Sequence, residues 1–462
     1  MKNFLKWFKG TTKIKRWIIT ILIGIALSCY GFSLVLATEE IAEVSEIVKI
    51  VATFVIGFAL VIVGLIFMQK RNLELVIEAH NSEEQSINIK SLIFNKNVYE
   101  RGPKIVVIGG GSGLNTVLKG LKKYTNNITA IVTVSDYGNL ATNSRKELNL
   151  LPVEDIKSSI ISLARNEQEM ASLLNYKFSA DRLKDLTFGD IYLSVMQNVN
   201  GEFVKSIEQS SKILKMTGRV LPVTLDEINI CAELKDGTIV TEKSKIPDLV
   251  TSRVTKIDRI YISPSNCKAA PGVLEAIEEA DAIIIGPGSL YTNVIPNLLV
   301  KNVSKAIKES TAMKFYISNI MTEPGQTDNY SVSDHIDAIL EHTRENIIDY
   351  CICNSGEIIP EYIRKYNKQG SDVVDSDISK IRAKGINVIK KDILSIDEGL
   401  IRHDTEVIAQ TIIEFICNDL KFKNKHTEDQ YVLLSTRLKD TKKKMKMKNK
   451  DENKTPKEKK PV

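Results

Sequence analysis

The sequence has few cysteines and histidines, and their spacing holds no metal ion and builds no disulfide framework. Six cysteines are spread along 462 residues, and no two of them form a CxxC pair. A structural zinc site needs four ligands close together, so zinc is excluded by spacing. Because disulfide frameworks belong to small secreted domains, we interpret all six cysteines as reduced thiols, five of them in a cytosolic domain.

Known catalytic motifs are also missing, and so is a net positive charge on the part of the chain between its two basic ends. The chain contains no HExxH motif, no GxSxG nucleophile elbow and no cysteine in a nucleophile context. Residues 1–16 carry six basic and no acidic side chains, and residues 437–462 carry twelve basic and four acidic ones. Because the whole chain has a formal charge of +6, residues 17–436 have a net charge of −8. An acidic body argues against nucleic acid as a partner.

Near the N-terminus lie two long apolar segments without charge. Trp17 to Ala37 contains 21 residues and Ile50 to Met68 contains 19, which is enough for a helix to cross a bilayer. Residues 38–46 between them are acidic, whereas both outer flanks are basic, which places both flanks in the cytoplasm. We predict a transmembrane hairpin. A signal peptide is disfavoured by the second span, and buried core helices are disfavoured by the lack of a polar face.

Composition divides the chain into segments. We expect a basic cytoplasmic N-terminus (1–16), a transmembrane hairpin (17–68), a juxtamembrane linker (69–102), an α/β domain (103–422) and a basic disordered tail (437–462). The tail is rich in lysine and has no apolar periodicity, which is typical of disorder. The expected location is the cell membrane, as a multi-pass protein with two spans and with both termini and the α/β domain in the cytoplasm.

From Lys104 onward, short apolar runs alternate with amphipathic stretches of helical length. Runs such as Lys104–Ile108 and Ala282–Ile285 are rich in β-branched residues, as in strands that are buried on both faces of a parallel sheet. The alternation predicts the α/β class, with a doubly wound and mostly parallel sheet. Residues 219–262 carry strand-like segments around an Asp236-Gly237 turn, which predicts a small antiparallel insertion.

The first predicted strand runs directly into a glycine-rich loop, and a predicted helix follows. The loop consists of Gly109, Gly110, Gly111, Ser112 and Gly113. Glycines allow the backbone to turn sharply and approach a ligand, and a helix N-terminus offers free N–H groups to a phosphate or diphosphate. A leucine at position 114 breaks the dinucleotide fingerprint, and the Lys-Ser/Thr pair of a P-loop is absent. A tight turn without a ligand is the alternative.

Two further loops follow predicted strands, and we expect all three to meet in one crevice. Doubly wound sheets bind ligands beyond the carboxyl ends of their strands. Besides the first loop, the candidate ligand-binding residues are Asp136, Asp155, Gly286, Pro287, Gly288, Ser289, Asn293, Asn319, Thr322, Glu323 and Gly325. The two aspartates are also candidate base or metal carboxylates. Ordinary turns and helix caps are the alternatives at these positions.

Residues 104 to about 415 resemble the gluconeogenesis factor (YvcK-like) family, which is related to the 2-phospho-L-lactate transferase (CofD-like) family. The stretches that carry the resemblance occur in family order: Val107–Leu114, Gly218–Pro222, Gly286–Thr292, Asn319–His335 and Arg402–Asp404. The resemblance implies a Rossmann-like fold, a homodimer and a phosphorylated nucleotide-type ligand, namely a UDP-sugar. It also implies regulation of cell wall synthesis and cell shape, through envelope-synthesis partners, in a bacterium.

The transferase branch implies another function, the transfer of a phospholactyl group with magnesium as the cofactor. Here the polar loops depart from the family pattern, because one of two aspartates expected near Ser135-Asp136 is missing. A magnesium site that needs two acidic ligands on one loop is therefore weakened. We expect a regulator without enzymatic activity. The alternatives are a transferase acting on a phosphorylated substrate and a structural scaffold with a vestigial site.

Overall fold

The structure is a computed structural model, and it describes residues 14–37, 44–80, 102–133, 153–179, 183, 186–422 and 428–452. The chain divides into two compact units, residues 1–95 and residues 96–462. The division falls inside the segment 69–102 that the sequence marks as a linker. Each unit has its own architecture.

The N-terminal unit contains two long helices, α1 (Ile14–Ala37) and α2 (Val44–His80). Each includes a segment that is long and apolar enough to cross a membrane, Trp17–Val35 in α1 and Ile47–Gln69 in α2. Only 11% of each segment is buried within the protein, so neither is a core helix of the described structure. The two apolar helices that the sequence predicts are therefore present.

Small residues allow α1 and α2 to pack closely and antiparallel. A Cβ atom on Gly24 would lie 2.7 Å from the carbonyl oxygen of Gly57, so only glycine fits at this contact. At the end of α1 near its N-terminus, the ring of Trp17 stacks on Phe67 with centroids 4.4 Å apart. Close backbone approach through glycines is a common way for apolar helices to associate where lipid removes the hydrophobic driving force.

The second unit is built around a seven-stranded sheet. Its strands in chain order are β1 (Ile105–Gly109), β2 (Ile128–Val132), β3 (Arg219–Pro222), β7 (Ala282–Ile285), β8 (Met313–Ile317), β9 (Tyr350–Asn354) and β10 (Asn387–Lys391). They lie in the order β10-β9-β8-β7-β1-β2-β3, and all neighbours are parallel. Two smaller antiparallel sheets contain β4 (Asn229–Leu234), β5 (Ile239–Val240), β6 (Ile257–Ser263), β11 (Leu394–Asp397) and β12 (Leu400–His403).

Helices connect these strands. In chain order they are α3 (Gly111–Leu121), α4 (Glu154–Leu163), α5 (Glu167–Leu174), α6 (Phe188–Asn200), α7 (Phe203–Ile213), α8 (Ile246–Ser252), α9 (Val273–Glu278), α10 (Ile295–Leu299), α11 (Val303–Glu309), α12 (Val332–Thr343), α13 (Pro360–Asn367), α14 (Ile378–Ala383), α15 (Thr405–Phe422) and α16 (Glu428–Glu452). A 3₁₀ turn, Lys243–Lys245, precedes α8, and a π-helical turn, Leu290–Val294, precedes α10.

The sheet forms because its strands are apolar on both faces. All five residues of β1 are buried, with Val106 and Ile108 in the core on one face and Ile105 and Val107 in the core on the other. A parallel sheet covered by helices on both faces requires such strands. The predicted α/β class, with a mostly parallel sheet and a small antiparallel insertion, is confirmed.

The insertion begins later than the sequence suggests. We expected residues 219–262 to form it, but Arg219–Pro222 is β3 of the main sheet and pairs in parallel with β2. Gly218, with φ +81°, makes this possible, because a Cβ atom there would lie 2.5 Å from the Ile128 carbonyl oxygen. The antiparallel insertion consists of β4, β5 and β6, with Asp236-Gly237 in the turn after β4.

The structure of the C-terminal region differs from the predicted disordered tail. Residues 437–452 belong to helix α16 and not to a disordered tail, while residues 453–462 lie outside the described residues. The helix packs against the domain because Leu434 and Leu438 are buried and the Arg437 side chain donates a hydrogen bond to the Lys123 carbonyl (3.1 Å). Apolar contacts near the start of the helix therefore anchor it to the domain, although its C-terminal part is mostly polar.

Candidate functional site

The candidate site lies where the strand order reverses. The chain moves from β1 outward to β2 and β3 and then returns to β7 on the other side of β1, so the carboxyl ends of β1 and β7 flank a topological switch point. Ligands of doubly wound sheets bind at such points. A crevice of about 360 Å³ opens here, within the usual size range of small-molecule sites.

The first glycine loop forms one wall of the crevice and starts helix α3. Gly111, with φ +66°, is the first helical residue, and its N–H donates a hydrogen bond to the Asp155 carboxylate (2.9 Å). A Cβ atom on Gly110 would lie 2.8 Å from the other carboxylate oxygen of Asp155. Asp155 therefore fixes the backbone of the loop without lining the crevice itself. Gly110, Ser112 and Gly113 line the crevice.

The second glycine loop touches the first. A Cβ atom on Gly113 would lie 2.3 Å from the Pro287 carbonyl oxygen, and one on Gly288 would lie 3.1 Å from the Gly110 carbonyl oxygen. The Gly286 N–H donates to the Ile108 carbonyl (3.0 Å). Close packing between the loops therefore favours glycine at positions 113 and 288 by itself. The two loops therefore meet at one crevice.

The third loop, which follows β8, is fastened to the second by side chains. Asn319 accepts a hydrogen bond from the Gly288 N–H (3.3 Å) and donates one to the Gly288 carbonyl (3.2 Å). The Ser289 hydroxyl donates to the Glu323 carboxylate (3.0 Å). Thr322 lines the crevice and donates its N–H to the Asp372 carbonyl (2.7 Å). Asn319, Thr322 and Glu323 are thus placed with the two glycine loops.

Two asparagines follow the second loop, Asn293 in the π-helical turn and Asn297 in α10. Asn297 is fully buried, and its amide donates to the Gly109 carbonyl (3.1 Å), the Thr133 hydroxyl (2.6 Å) and the Asn293 carbonyl (2.7 Å). It therefore holds the ends of β1 and β2 to this turn. Asn293 lines the crevice, and its side-chain oxygen is buried without a hydrogen-bond partner in the described structure.

The remaining predicted residues lie elsewhere. Gly325, with φ +72°, packs against α8, because a Cβ atom there would lie 2.4 Å from the Pro247 carbonyl oxygen. It shapes the third loop, and its N–H donates to the Asp328 carboxylate (2.8 Å). Asp136 lies outside the described residues.

Sequence reasoning did not select several crevice residues as ligand-binding: Thr116, Tyr366, Gln369, Ser371, Ile401, Arg402 and His403. Arg402 and His403 end β12, and the Arg402 guanidinium donates to the Ser112 hydroxyl (3.2 Å). Arg402 lies 290 positions after Ser112 in the sequence. Only the family resemblance pointed to Arg402–Asp404, since no local pattern marks them.

The electrostatics of the crevice suit an anion at the first loop. Arg402 adds a positive charge beside the N-terminus of α3, where the helix dipole and the N–H groups that follow Gly111 also attract anions, whereas the Gly111 N–H is taken by Asp155. His403 is neutral near pH 7, because burial lowers its pKa to about 4, and it donates from Nε2 to the Ser318 carbonyl (3.0 Å). Burial raises the pKa of Glu323 despite the hydrogen bond from Ser289.

The described residues were also compared with the ligand sets that hold metal ions. They contain no group of three or more histidine, cysteine or acidic side chains that could hold a metal ion. Asp155 is engaged by Gly111, and Glu323 by Ser289 and Gln326.

The fold and the crevice define a Rossmann-like α/β protein with a glycine-lined site at its switch point. Residues 105–394 match the family model described as 2-phospho-L-lactate transferase CofD. The gluconeogenesis factor of Bacillus subtilis is 36% identical over 315 residues, which cover 68% of this chain and 98% of that protein. A Clostridium acetobutylicum relative, provisionally named a gluconeogenesis factor, is 37% identical over 442 residues, 96% of this chain and 98% of the relative.

A solved structure agrees with these relatives. The crystal structure of a UPF0052 family member from Bacillus halodurans matches this chain with a TM-score of 0.63 and 38% sequence identity. The match covers 67% of this chain and 99% of the Bacillus halodurans chain. The chain belongs to the gluconeogenesis factor family and carries its CofD-like domain. The recognised family is therefore confirmed.

Proposed function

We propose that this protein is a membrane-tethered regulator that binds a phosphorylated nucleotide-type ligand, a UDP-sugar, and controls cell envelope synthesis and cell shape. The observation that carries the proposal is the meeting of two glycine loops at the switch point, with Arg402 hydrogen-bonded to Ser112. Backbone N–H groups at the start of α3 and the guanidinium together offer a diphosphate several donors. A homodimer that works through envelope-synthesis proteins is part of the proposal.

Binding without turnover is favoured by what surrounds the crevice. Phosphoryl transfer relies on metal ions and cations that neutralise charge as it develops. Among the described lining residues, Glu323 is the only carboxylate, and it is already hydrogen-bonded to Ser289. Transferase activity of the 2-phospho-L-lactate type stays the alternative, favoured by the match of residues 105–394 to that family model. Measurable phospholactyl transfer by the purified protein would show that it is an enzyme and would overturn the proposal of a regulator without turnover.

Calorimetric titration of residues 96–462 with UDP-N-acetylglucosamine tests the proposal, using two matched variants of α3. A Cβ atom on Gly113 would lie 2.3 Å from the Pro287 carbonyl oxygen at the crevice, and one on Gly120 would lie 2.4 Å from the Thr405 carbonyl oxygen at the far end of the helix. Both Gly113→Ala and Gly120→Ala therefore overpack to a similar degree. We expect only Gly113→Ala to abolish binding. Equal effects, or no binding by the unmodified fragment, would reject the site.

A further inference from the structure

The crevice carries opposite charges on different loops. Among its described lining residues, Arg402 is the only lysine or arginine and Glu323 the only acidic side chain. Arg402 contacts Ser112 of the first loop, whereas Glu323 contacts Ser289 of the second. A ligand that is anionic along its whole length would meet repulsion at Glu323. The site therefore fits a ligand with an anionic part and an uncharged part.

Glu323 is held firmly and still has free acceptor capacity. One carboxylate oxygen accepts from the Ser289 hydroxyl (3.0 Å) and the other from the Gln326 amide (3.0 Å). Its own N–H donates to the Thr327 hydroxyl (2.9 Å), which fixes the backbone. Each carboxylate oxygen has two acceptor positions, so one on each oxygen is left for a ligand donor. Burial raises the pKa of this group, because an incompletely paired charge is costly away from water.

A second observation also indicates a donor-bearing ligand. The Asn293 side chain lines the crevice, and its Oδ1 atom is buried without a hydrogen-bond partner in the described structure. A buried acceptor is costly to leave unpaired, so this atom points to a hydroxyl or N–H group that a ligand brings.

We infer that Glu323 selects the ligand by accepting hydrogen bonds from the hydroxyl or amide N–H groups of its uncharged, sugar-like part, while the first loop and Arg402 take the phosphates. The inference rests on the proposed function and assigns a role to one side chain of that site. Glu323 is thus a specificity-determining residue. A site built to hydrogen-bond a substrate group rejects analogues that lack it.

The test compares UDP-N-acetylglucosamine with UDP on the full chain in detergent. Glu323→Gln keeps the shape but replaces one acceptor oxygen by a donor, and Glu341→Gln, on the exposed surface of α12, is the matched control. We expect Glu323→Gln to weaken UDP-N-acetylglucosamine binding at least tenfold and to leave UDP binding unchanged or tighter. Glu323→Asp, which keeps the charge but shortens the side chain, should also lose preference for the sugar.

The outcomes separate this inference from the proposed function. If the unmodified chain prefers UDP-N-acetylglucosamine and both Glu323 variants, folded by their melting temperatures, keep that preference, the inference is wrong and the proposed function stands. An equal loss of both ligands in the Glu323 variants would mean a structural role and would also overturn it. If the unmodified chain binds neither probe, the proposed function fails and the inference fails with it.

Discussion

At the scale of single residues, Arg402 has the clearest consequence for ligand binding. Its guanidinium reaches Ser112 from a hairpin that is remote in sequence, so the positive charge at the first glycine loop depends on tertiary structure. A hydrogen bond between a cation and a phosphate is stronger than one between neutral groups. Arg402 thus adds charge to a loop whose own groups are neutral.

We expect Arg402→Gln to weaken UDP-N-acetylglucosamine binding by about tenfold to a hundredfold, because a hydrogen bond to a charged group contributes roughly 1.5–3 kcal/mol. Arg382→Gln, at an exposed position on α14, is the control and should bind normally. Calorimetric titration measures both. Indistinguishable affinities would show that the phosphates do not approach Arg402.

A second residue-scale prediction concerns acid stability. Burial lowers the pKa of His403 from 6.5 to about 4, so protonation favours the unfolded chain. The stabilisation from the neutral ring is complete above pH 6.5 and is lost as the pH falls toward 4, by roughly 3 kcal/mol in all. His335 and His342, whose pKa values burial also lowers, add to the loss.

Urea unfolding of the chain and of His403→Gln between pH 7 and pH 4.5 measures this effect. Glutamine keeps a donor for the Ser318 carbonyl but does not titrate in this range. The variant should lose less stability on acidification than the unmodified protein. Parallel pH profiles would mean that His403 does not carry the effect.

At the scale of elements, the central strands could be predicted closely, whereas two other segments could not. The apolar runs at Lys104–Ile108 and Ala282–Ile285 coincide with most of β1 and with β7, because strands that are buried on both faces leave an unambiguous pattern. Arg219–Pro222 was placed in the wrong sheet, since four residues do not encode their partner. Helix α16 is missed because most of its apolar face, Tyr431 and Leu434, precedes residue 437, and the lysine-rich part after Leu438 has no apolar periodicity.

Parts of the candidate site that carry a local sequence signal could also be predicted. Gly109–Gly113 and Gly286–Ser289 were found because a glycine run directly after an apolar strand is a local signal. Arg402 and Tyr366 lie in the crevice through the packing of β12 and α13, for which the sequence offers no local signal. Local patterns therefore predicted the residues of the three loops, including Asn319, Thr322 and Glu323, and not those that β12 and α13 bring to the crevice.

Helix α16 leads to a prediction about truncation. Ending the chain at residue 427 removes two buried leucines, each worth about 2 kcal/mol of burial, so the melting temperature should fall by about 5 °C or more. Ending it at residue 452 removes only the segment beyond α16 and is the control, with an unchanged melting temperature. Calorimetry of both truncated proteins measures the two melting temperatures. Equal melting temperatures would show that α16 does not stabilise the domain.

At the scale of the whole molecule, the proposal joins a membrane anchor to a ligand-binding domain. The apolar segments Trp17–Val35 and Ile47–Gln69 have the length for two spans, and the acidic residues between them favour the outer side. The Clostridium acetobutylicum relative covers 96% of this chain, so it extends over the N-terminal unit as well. Ligand sensing at the membrane surface is the proposed result.

We expect the full chain to remain in the membrane fraction after alkaline carbonate extraction and residues 96–462 to be soluble. Both should bind UDP-N-acetylglucosamine equally, because the candidate site lies wholly within the second unit. Cysteine introduced at Glu43 should react with an impermeant thiol reagent in intact cells. Labelling only after lysis would reverse the proposed orientation.

The central claim is that the crevice between the two glycine loops binds the phosphates of a nucleotide-sugar. A crystal structure of residues 96–462 grown with UDP-N-acetylglucosamine tests this most directly. We expect the diphosphate within hydrogen-bond distance of the backbone N–H groups of the first glycine loop and of the Arg402 guanidinium. An empty crevice at saturating ligand, or a ligand bound elsewhere on the domain, would contradict the account.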